Sequence, residues 1–135
     1  MAHGLFDKAR EGFLCGEIDW LSHTIKAAMI DSTVRQPNLR TDRVLADLGA
    51  AVVSDSALLT EKTAKDGLAS AGPCVIQGID AETVDHIVIF QDTGSKATSR
   101  LIAVIDRLGA GKFPFSPQGG DIHISWDAGT TIFKL

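Results

Sequence analysis

Residues 85–91 read DHIVIFQ and residues 100–106 read RLIAVID, and these two stretches decide the fold. Each is a short, nearly continuous run of Ile, Val, Leu and Phe. Runs of this length and composition are typical of strands, and the second run is so nearly continuous that it predicts burial on both faces. The first run ends at Asp92-Thr93-Gly94, residues that favour a turn. We therefore predict two central strands joined by a short connection.

Shorter strand patterns separated by turns surround this pair. The dipeptide Asp66-Gly67 predicts a tight hairpin turn, and residues 109–120 form a long loop rich in Gly and Pro. Seven or eight short strands in sequence are typical of an antiparallel sandwich or barrel. We predict a mainly β fold, an antiparallel β-sandwich or jelly-roll-like domain. The predicted outer strands are residues 24–30, 51–54, 57–63, a strand over 68–71 and 74–78 that is broken around Pro73, 121–126 and 131–135.

Two short helices are expected beside the strands. Residues 4–14 carry apolar side chains at helical spacing, and Gly16 follows where a helix commonly ends. Thr41 is the predicted cap of a helical turn over residues 43–48, which Gly49 would close. Residues 31–40 are polar and read as a loop. The 135 residues are expected to form a single domain, with residues 1–20 as a possible N-terminal arm.

Composition narrows the class of function. Hydrophobic residues make up 44% of the chain and charged residues 22%, which is typical of a globular domain. The net charge of −4 gives no general electrostatic reason to bind nucleic acid. No apolar run is long enough to span a membrane, and the N-terminus has no signal-peptide pattern. We expect no direct nucleic-acid or membrane partner. The two cysteines, far apart in sequence, are expected to be small buried hydrophobes rather than a zinc site.

A search for catalytic or metal-binding residues finds one weak constellation. His86 and His123 lie in predicted strands and could be neighbours across a sheet, with Asp121 nearby. Cupin-like metal sites use two histidines one residue apart, and no His-x-His occurs here. No serine lies in a Gly-x-Ser-x-Gly elbow either. The sequence predicts a non-enzymatic protein without cofactor or metal.

Aromatic residues are the best candidates for contact with a partner, since aromatic side chains dominate protein interfaces. Phe6 and Phe13 lie on the predicted first helix, and Trp20 precedes the first strand. Phe113 and Phe115 flank a proline in the long loop. Trp20 and the two loop residues could equally be buried. These five residues are the predicted partner contacts.

Three blocks of the chain together resemble a family of small tailed-bacteriophage virion proteins. The blocks are residues 9–26 (AREGFLCGEIDW through to IK), residues 92–106 (DTG, then TSRLIAVID) and residues 119–135 (GGDI through WD to IFKL). The resemblance covers most of the chain and is most specific in the last block. Residues 31–63 match least well.

The resemblance implies a structural role in the virion, most specifically as a capsid decoration or cement protein on the icosahedral head. The implied partners are the major capsid protein and further copies of the chain, most simply in a homodimer. The implied location is the capsid surface, after assembly in the host cytoplasm. The family supplies no catalytic residues.

Three alternatives stay open from sequence. A tail or head–tail connector component fits the resemblance equally well. A carbohydrate-binding sandwich is less attractive, because the chain has no Tyr and only two Trp. A cupin-like metalloenzyme depends on His86, His123 and Asp121 converging.

Overall fold

The computed structural model describes residues 4–52, 57–72, 74–76, 86–105, 122–124 and 132–134. The described elements include one α-helix, α1, and one 3-10 helix; the others are strands. In chain order they are β1 (Gly4–Leu5), α1 (Asp7–Leu14), β2 (Ile25–Ile30), the 3-10 helix (Leu45–Ala51), β3 (Ala57–Leu58), β4 (Thr63–Lys65), β5 (Leu68–Ser70), β6 (Cys74–Ile76), β7 (His86–Gln91), β8 (Arg100–Ile105), β9 (Ile122–Ile124) and β10 (Phe133–Lys134).

These strands form three antiparallel sheets. The largest has the order β1-β8-β7-β2-β3, the second β10-β5-β4, and the third pairs β6 with β9. The mainly β, antiparallel class predicted from sequence is confirmed, as are the two short helices beside the strands. The finer arrangement as a sandwich or jelly roll stays a prediction.

The two central strands are buried on both faces, which the sequence predicted for β8. In β7 the residues from His86 to Phe90 are buried, and in β8 those from Leu101 to Ile105 are buried. The strands pair antiparallel, with a register shift between Ile89 and Phe90. They form the centre of the hydrophobic core, to which β2 adds Ala27, Ala28, Met29 and Ile30. Burial on both faces explains why these strands show no polar alternation.

The predicted hairpin at Asp66-Gly67 is confirmed. β4 and β5 pair with Lys65 opposite Leu68, which leaves a two-residue turn. Asp66 and Gly67 have φ values of 55° and 79°. Two consecutive positive φ angles define the turn whose twist matches a tight hairpin, and Asp-Gly is a preferred sequence for it.

The N-terminal segment differs from its prediction. The helix begins at Asp7, not at Gly4, because Gly4 and Leu5 pair with Val104 and Ala103 as an edge strand of the large sheet. Gly4 and Leu5 thus lie in the large sheet, and Phe6, Ala9, Ile18 and Trp20 are buried. Gly16 follows the helix with a φ of 74°, as expected for a residue that ends it.

Two further element predictions are wrong. The 3-10 helix begins after Val44, and the carboxylate of Asp47 accepts the backbone N–H groups of Arg43 and Val44, so Thr41 is not its cap. The strand predicted over residues 57–63 is interrupted. Its first two residues form β3, and Glu61 has a φ of 53°, which bends the chain before β4 begins.

Of the strand predicted over residues 51–54, only 51 and 52 are described. Ala51 ends the 3-10 helix, and Val52 makes an isolated bridge to Ile30.

Candidate binding groove

An open apolar groove lies between the β10-β5-β4 sheet and the segment that follows α1. It has a volume of about 370 Å³. The sheet forms one wall, and the segment from Phe13 to Leu21 forms the other. The lining residues are Phe13, Gly16, Ile18, Asp19, Trp20, Leu21, Ala64, Gly67, Leu68, Ala69 and Phe133. We call this surface the Trp20 groove.

Trp20 is the anchor of the groove. Its indole Nε1–H donates a hydrogen bond to the backbone oxygen of Thr63 at 3.1 Å. Its ring meets the ring of Phe133 edge to face, with centroids 5.1 Å apart. The side chain is only 5% exposed. A buried tryptophan with its N–H satisfied holds the chain segment before β2 firmly against the small sheet.

Phe13 and Phe133 complete the aromatic wall. Their ring centroids are 5.8 Å apart with the planes tilted at 45°. Both side chains are half-buried and pack against the hydrophobic core. The groove therefore has a rigid aromatic wall built from residues that are far apart in sequence.

Two partly exposed leucines line the groove beside this wall. Leu21 is 55% exposed and Leu68 is 37% exposed. Single exposed apolar residues are common, but two within one apolar groove favour a surface that binds a partner.

Hydrogen bonds fix the loop that carries Trp20 and Leu21. The Asp19 carboxylate accepts the backbone N–H groups of Leu21 and Ser22, each at 3.1 Å. These bonds, with that of Ser22 the strongest, lower the pKa of Asp19 from its usual value. The Lys62 ammonium donates to the backbone oxygen of His23 at 2.5 Å, and burial lowers the pKa of Lys62. The loop is thereby held at both ends.

The predicted contact residues differ in how far the structure buries them. Phe6 has no exposed surface and belongs to the hydrophobic core, so it does not lie on a surface that a partner could reach. Trp20 is also buried, as a wall of the groove, while Phe13 is partly exposed beside it. The structure brings Phe13 and Trp20 together through Phe133. Phe113 and Phe115 lie outside the described residues.

Sequence reasoning missed the sheet side of the groove. Ala64, Leu68 and Ala69 come from the two arms of the hairpin, and Phe133 comes from the last described strand. The signal in the sequence for this side of the groove was the small or apolar residues Ala64, Leu68 and Ala69 in the two arms of the Asp66-Gly67 hairpin.

A second, polar cavity lies beside the 3-10 helix and is lined by Arg43, Asp47, Thr98 and Arg100, among others. Arg100 is paired with the Glu17 carboxylate. Asp47 accepts the backbone N–H groups that precede the helix, and these bonds, with that of Val44 the strongest, lower the pKa of Asp47. Asp47, Thr98 and Arg100 thus bond to other residues of the protein, which gives these three side chains a structural role.

The structure separates the two histidines of the cupin-like alternative. His86 lies in β7 opposite Ile30 of the large sheet, while His123 lies in β9 opposite Val75 of the two-stranded sheet. The prediction that they are neighbours across one sheet is therefore wrong, and Asp121 lies outside the described residues. Within the described ranges, no three His, Cys, Asp or Glu side chains are grouped to hold a metal ion.

The two cysteines are both unpaired, and Cys15 is exposed while Cys74 is buried. Burial raises the pKa of the Cys74 thiol to about 11. Cys74 thus matches the expectation of a small buried hydrophobe, and Cys15 does not. In the part of the chain that the structure describes, no helix is long and apolar enough to cross a membrane.

No protein-family model matches the chain, and a search of curated proteins finds no match.

Proposed function

We propose that this protein is a structural component of a tailed-bacteriophage virion, and specifically a decoration protein that binds the outside of the icosahedral head. The proposal takes its biological setting from the resemblance of residues 9–26, 92–106 and 119–135 to small phage virion proteins. The mainly β fold is compatible with it. The partners are the major capsid protein and further copies of the chain.

The observation that carries the binding role is the Trp20 groove. Its aromatic wall is prearranged, so binding costs little side-chain ordering. Leu21 and Leu68 line the groove and remain partly exposed, so covering them removes apolar surface from water. A capsid repeats each binding site many times, so that many modest contacts of this kind stabilise a shell together.

Co-sedimentation tests the proposal. Heads stripped of the protein, and separately tails from the same phage, are mixed with purified protein and pelleted. We expect saturable binding to heads and a higher head melting temperature. Binding to tails or connectors alone would refute the decoration role and identify the tail alternative instead. Binding to neither would refute both.

Two matched variants test the groove. Leu21→Glu places a charge in the groove, and we expect it to weaken head binding at least about tenfold, since one buried leucine is worth roughly 1.5–3 kcal/mol. Val34→Glu is the control, because Val34 is similarly exposed at 53% but does not line the groove. Equal binding by both variants would show that the groove is not the contact surface.

A further inference from the structure

The outer edge of β4 has features of a pairing surface. β4 is the last strand of the β10-β5-β4 sheet, and within the described ranges no strand lies on its other side. All three of its residues are exposed. An unpaired strand edge is a template for a further strand.

The register of the hairpin shows which backbone groups point outward from this edge. A two-residue turn makes Lys65 and Leu68 a hydrogen-bonded pair, so the next pair, Ala64 and Ala69, is a non-hydrogen-bonded one. The oxygen of Ala69 confirms this, since it points away from β4 and accepts the N–H of Ile132 at 2.7 Å. The N–H and C=O of Ala64 therefore point away from β5, to the open edge.

The register centred on Ala64 suits both the length of the strand and its charges. Residues 61–66 read EKTAKD. Two antiparallel copies centred on Ala64 pair all three residues of both β4 strands, with Thr63 opposite Lys65, and bring Lys62 near Asp66 of the second copy, twice over. A slip of one residue would turn the open backbone groups of one copy toward the paired groups of the other. A slip of two residues would pair part of each strand with residues outside β4, and centring on Lys65 would also oppose two lysines, which destabilises a strand pair.

The same register continues the Trp20 groove across the edge. Phe133, Ala69 and Ala64 are aligned across the small sheet, and all three line the groove. Pairing at Ala64 extends this row into the second copy through two small side chains. The half-exposed Leu21, which lines the groove with Ala64, then lies beside apolar surface from both copies.

We propose that two copies of this chain associate edge to edge through β4, about a twofold axis at Ala64, to form one six-stranded sheet. A twofold axis gives each copy the same surface, as most homodimers require. β4 is short and is flanked by lysines, and both features disfavour pairing with unrelated strands. A second copy of the chain brings Asp66 near Lys62 and so compensates its charge. This association does not depend on a role in the virion.

Cross-linking between two single-cysteine chains tests the register. In the proposed dimer Thr63 and Lys65 of the two copies form a non-hydrogen-bonded pair, with Cα atoms about 4.5 Å apart, within the range of a disulfide. A Thr63→Cys chain and a size-tagged Lys65→Cys chain, both also carrying Cys15→Ser, are mixed and oxidised with oxidised glutathione. We expect the mixed dimer to be the main cross-linked product.

Each variant oxidised alone is the control, because two copies of residue 63 lie diagonally, about 7–8 Å apart, which is too far for a disulfide. Wild-type protein should sediment as a concentration-dependent dimer. A wild type that stays monomeric at every concentration tested would overturn the proposal. So would a dimer whose single-cysteine chains cross-link no better when mixed than alone.

Charge variants provide a second test that needs no cysteine. Asp66→Lys opposes two lysines across the axis, and we expect it to raise the dimer dissociation constant by about tenfold or more. Asp66→Asn should have a smaller effect, and added salt should reduce the difference between the two variants. Unchanged folding is checked by circular dichroism. Equal dimerisation of both variants in low salt would overturn the register.

Discussion

The five-stranded sheet and the β10-β5-β4 sheet are both antiparallel, but they differ in how far their side chains are buried. In the large sheet, Ile87, Ile89 and Ile102 have no exposed surface, and nearly every side chain of the central strands is buried. In the small sheet, all of β4 is exposed and Leu68 remains 37% exposed. The large sheet therefore supplies most of the hydrophobic core, whereas the small sheet exposes a strand and part of its apolar side chains to solvent.

Truncation in the large sheet should have the largest effect on stability. Ile102→Ala removes three carbons from the fully buried centre of β8 and leaves a cavity, so we expect a loss of about 2–5 kcal/mol in the free energy of unfolding. Urea denaturation followed by circular dichroism measures it. Leu58→Ala is the control, because Leu58 is 52% exposed on edge strand β3 and should cost less than about 1 kcal/mol. Similar losses in both variants would contradict the comparison of the sheets.

A substitution at Trp20, which joins the small sheet to the rest of the fold, should have an intermediate effect on stability. Trp20→Phe keeps an aromatic ring but removes the hydrogen bond to the Thr63 oxygen, at a cost of about 1–2 kcal/mol. Circular dichroism in urea again measures the loss, since the substitution changes the fluorescence. Leu21→Ala, in the same loop but exposed, should cost less than Trp20→Phe. A reversed order would mean that Trp20 does not anchor the sheet.

The smallest effect concerns an ion pair at the end of the large sheet. The Lys26 ammonium, 2.8 Å from the Asp92 carboxylate, lowers the pKa of Asp92, and the N–H of Gly94 adds to the effect. A carboxyl with a lowered folded-state pKa contributes stability above its unfolded pKa of about 3.8, and this contribution is lost as the pH falls through the folded value.

Asp92→Asn should therefore be less stable than wild type at neutral pH, and the difference should shrink toward about pH 3. Urea midpoints across that range measure it. Lys26→Met is the companion variant, because it removes the main cause of the lowered pKa, and it should also weaken the acid dependence. If the urea midpoints of both variants changed with pH in parallel with those of wild type, the ion pair would not contribute to the pH dependence of stability.

Local patterns predicted much of this fold. The apolar runs predicted the strands β7 and β8 and the burial of β8 on both faces, and Asp66-Gly67 predicted the hairpin with its turn. Such features are decided by side chains next to one another in sequence. The helix start was misplaced because Gly4 and Leu5 pair with β8, which lies about a hundred residues away in the chain.

The candidate site was predictable only in part. Phe13 and Trp20 were recognisable as aromatic anchors, but their shared neighbour Phe133 comes from the other end of the chain. Phe6 was expected on the apolar face of the first helix as a partner contact, but it follows the edge strand β1 directly and lies fully buried in the core.

The mainly β class, the strands β7 and β8 and the tight turn could be read from the amino-acid sequence, because strand propensity and turn geometry act over a few neighbouring residues. Tertiary structure alone decided which aromatic residues are buried and which strand edge stays open. Those properties depend on contacts between distant segments, whose register is set by the packing of the whole chain rather than by any local pattern.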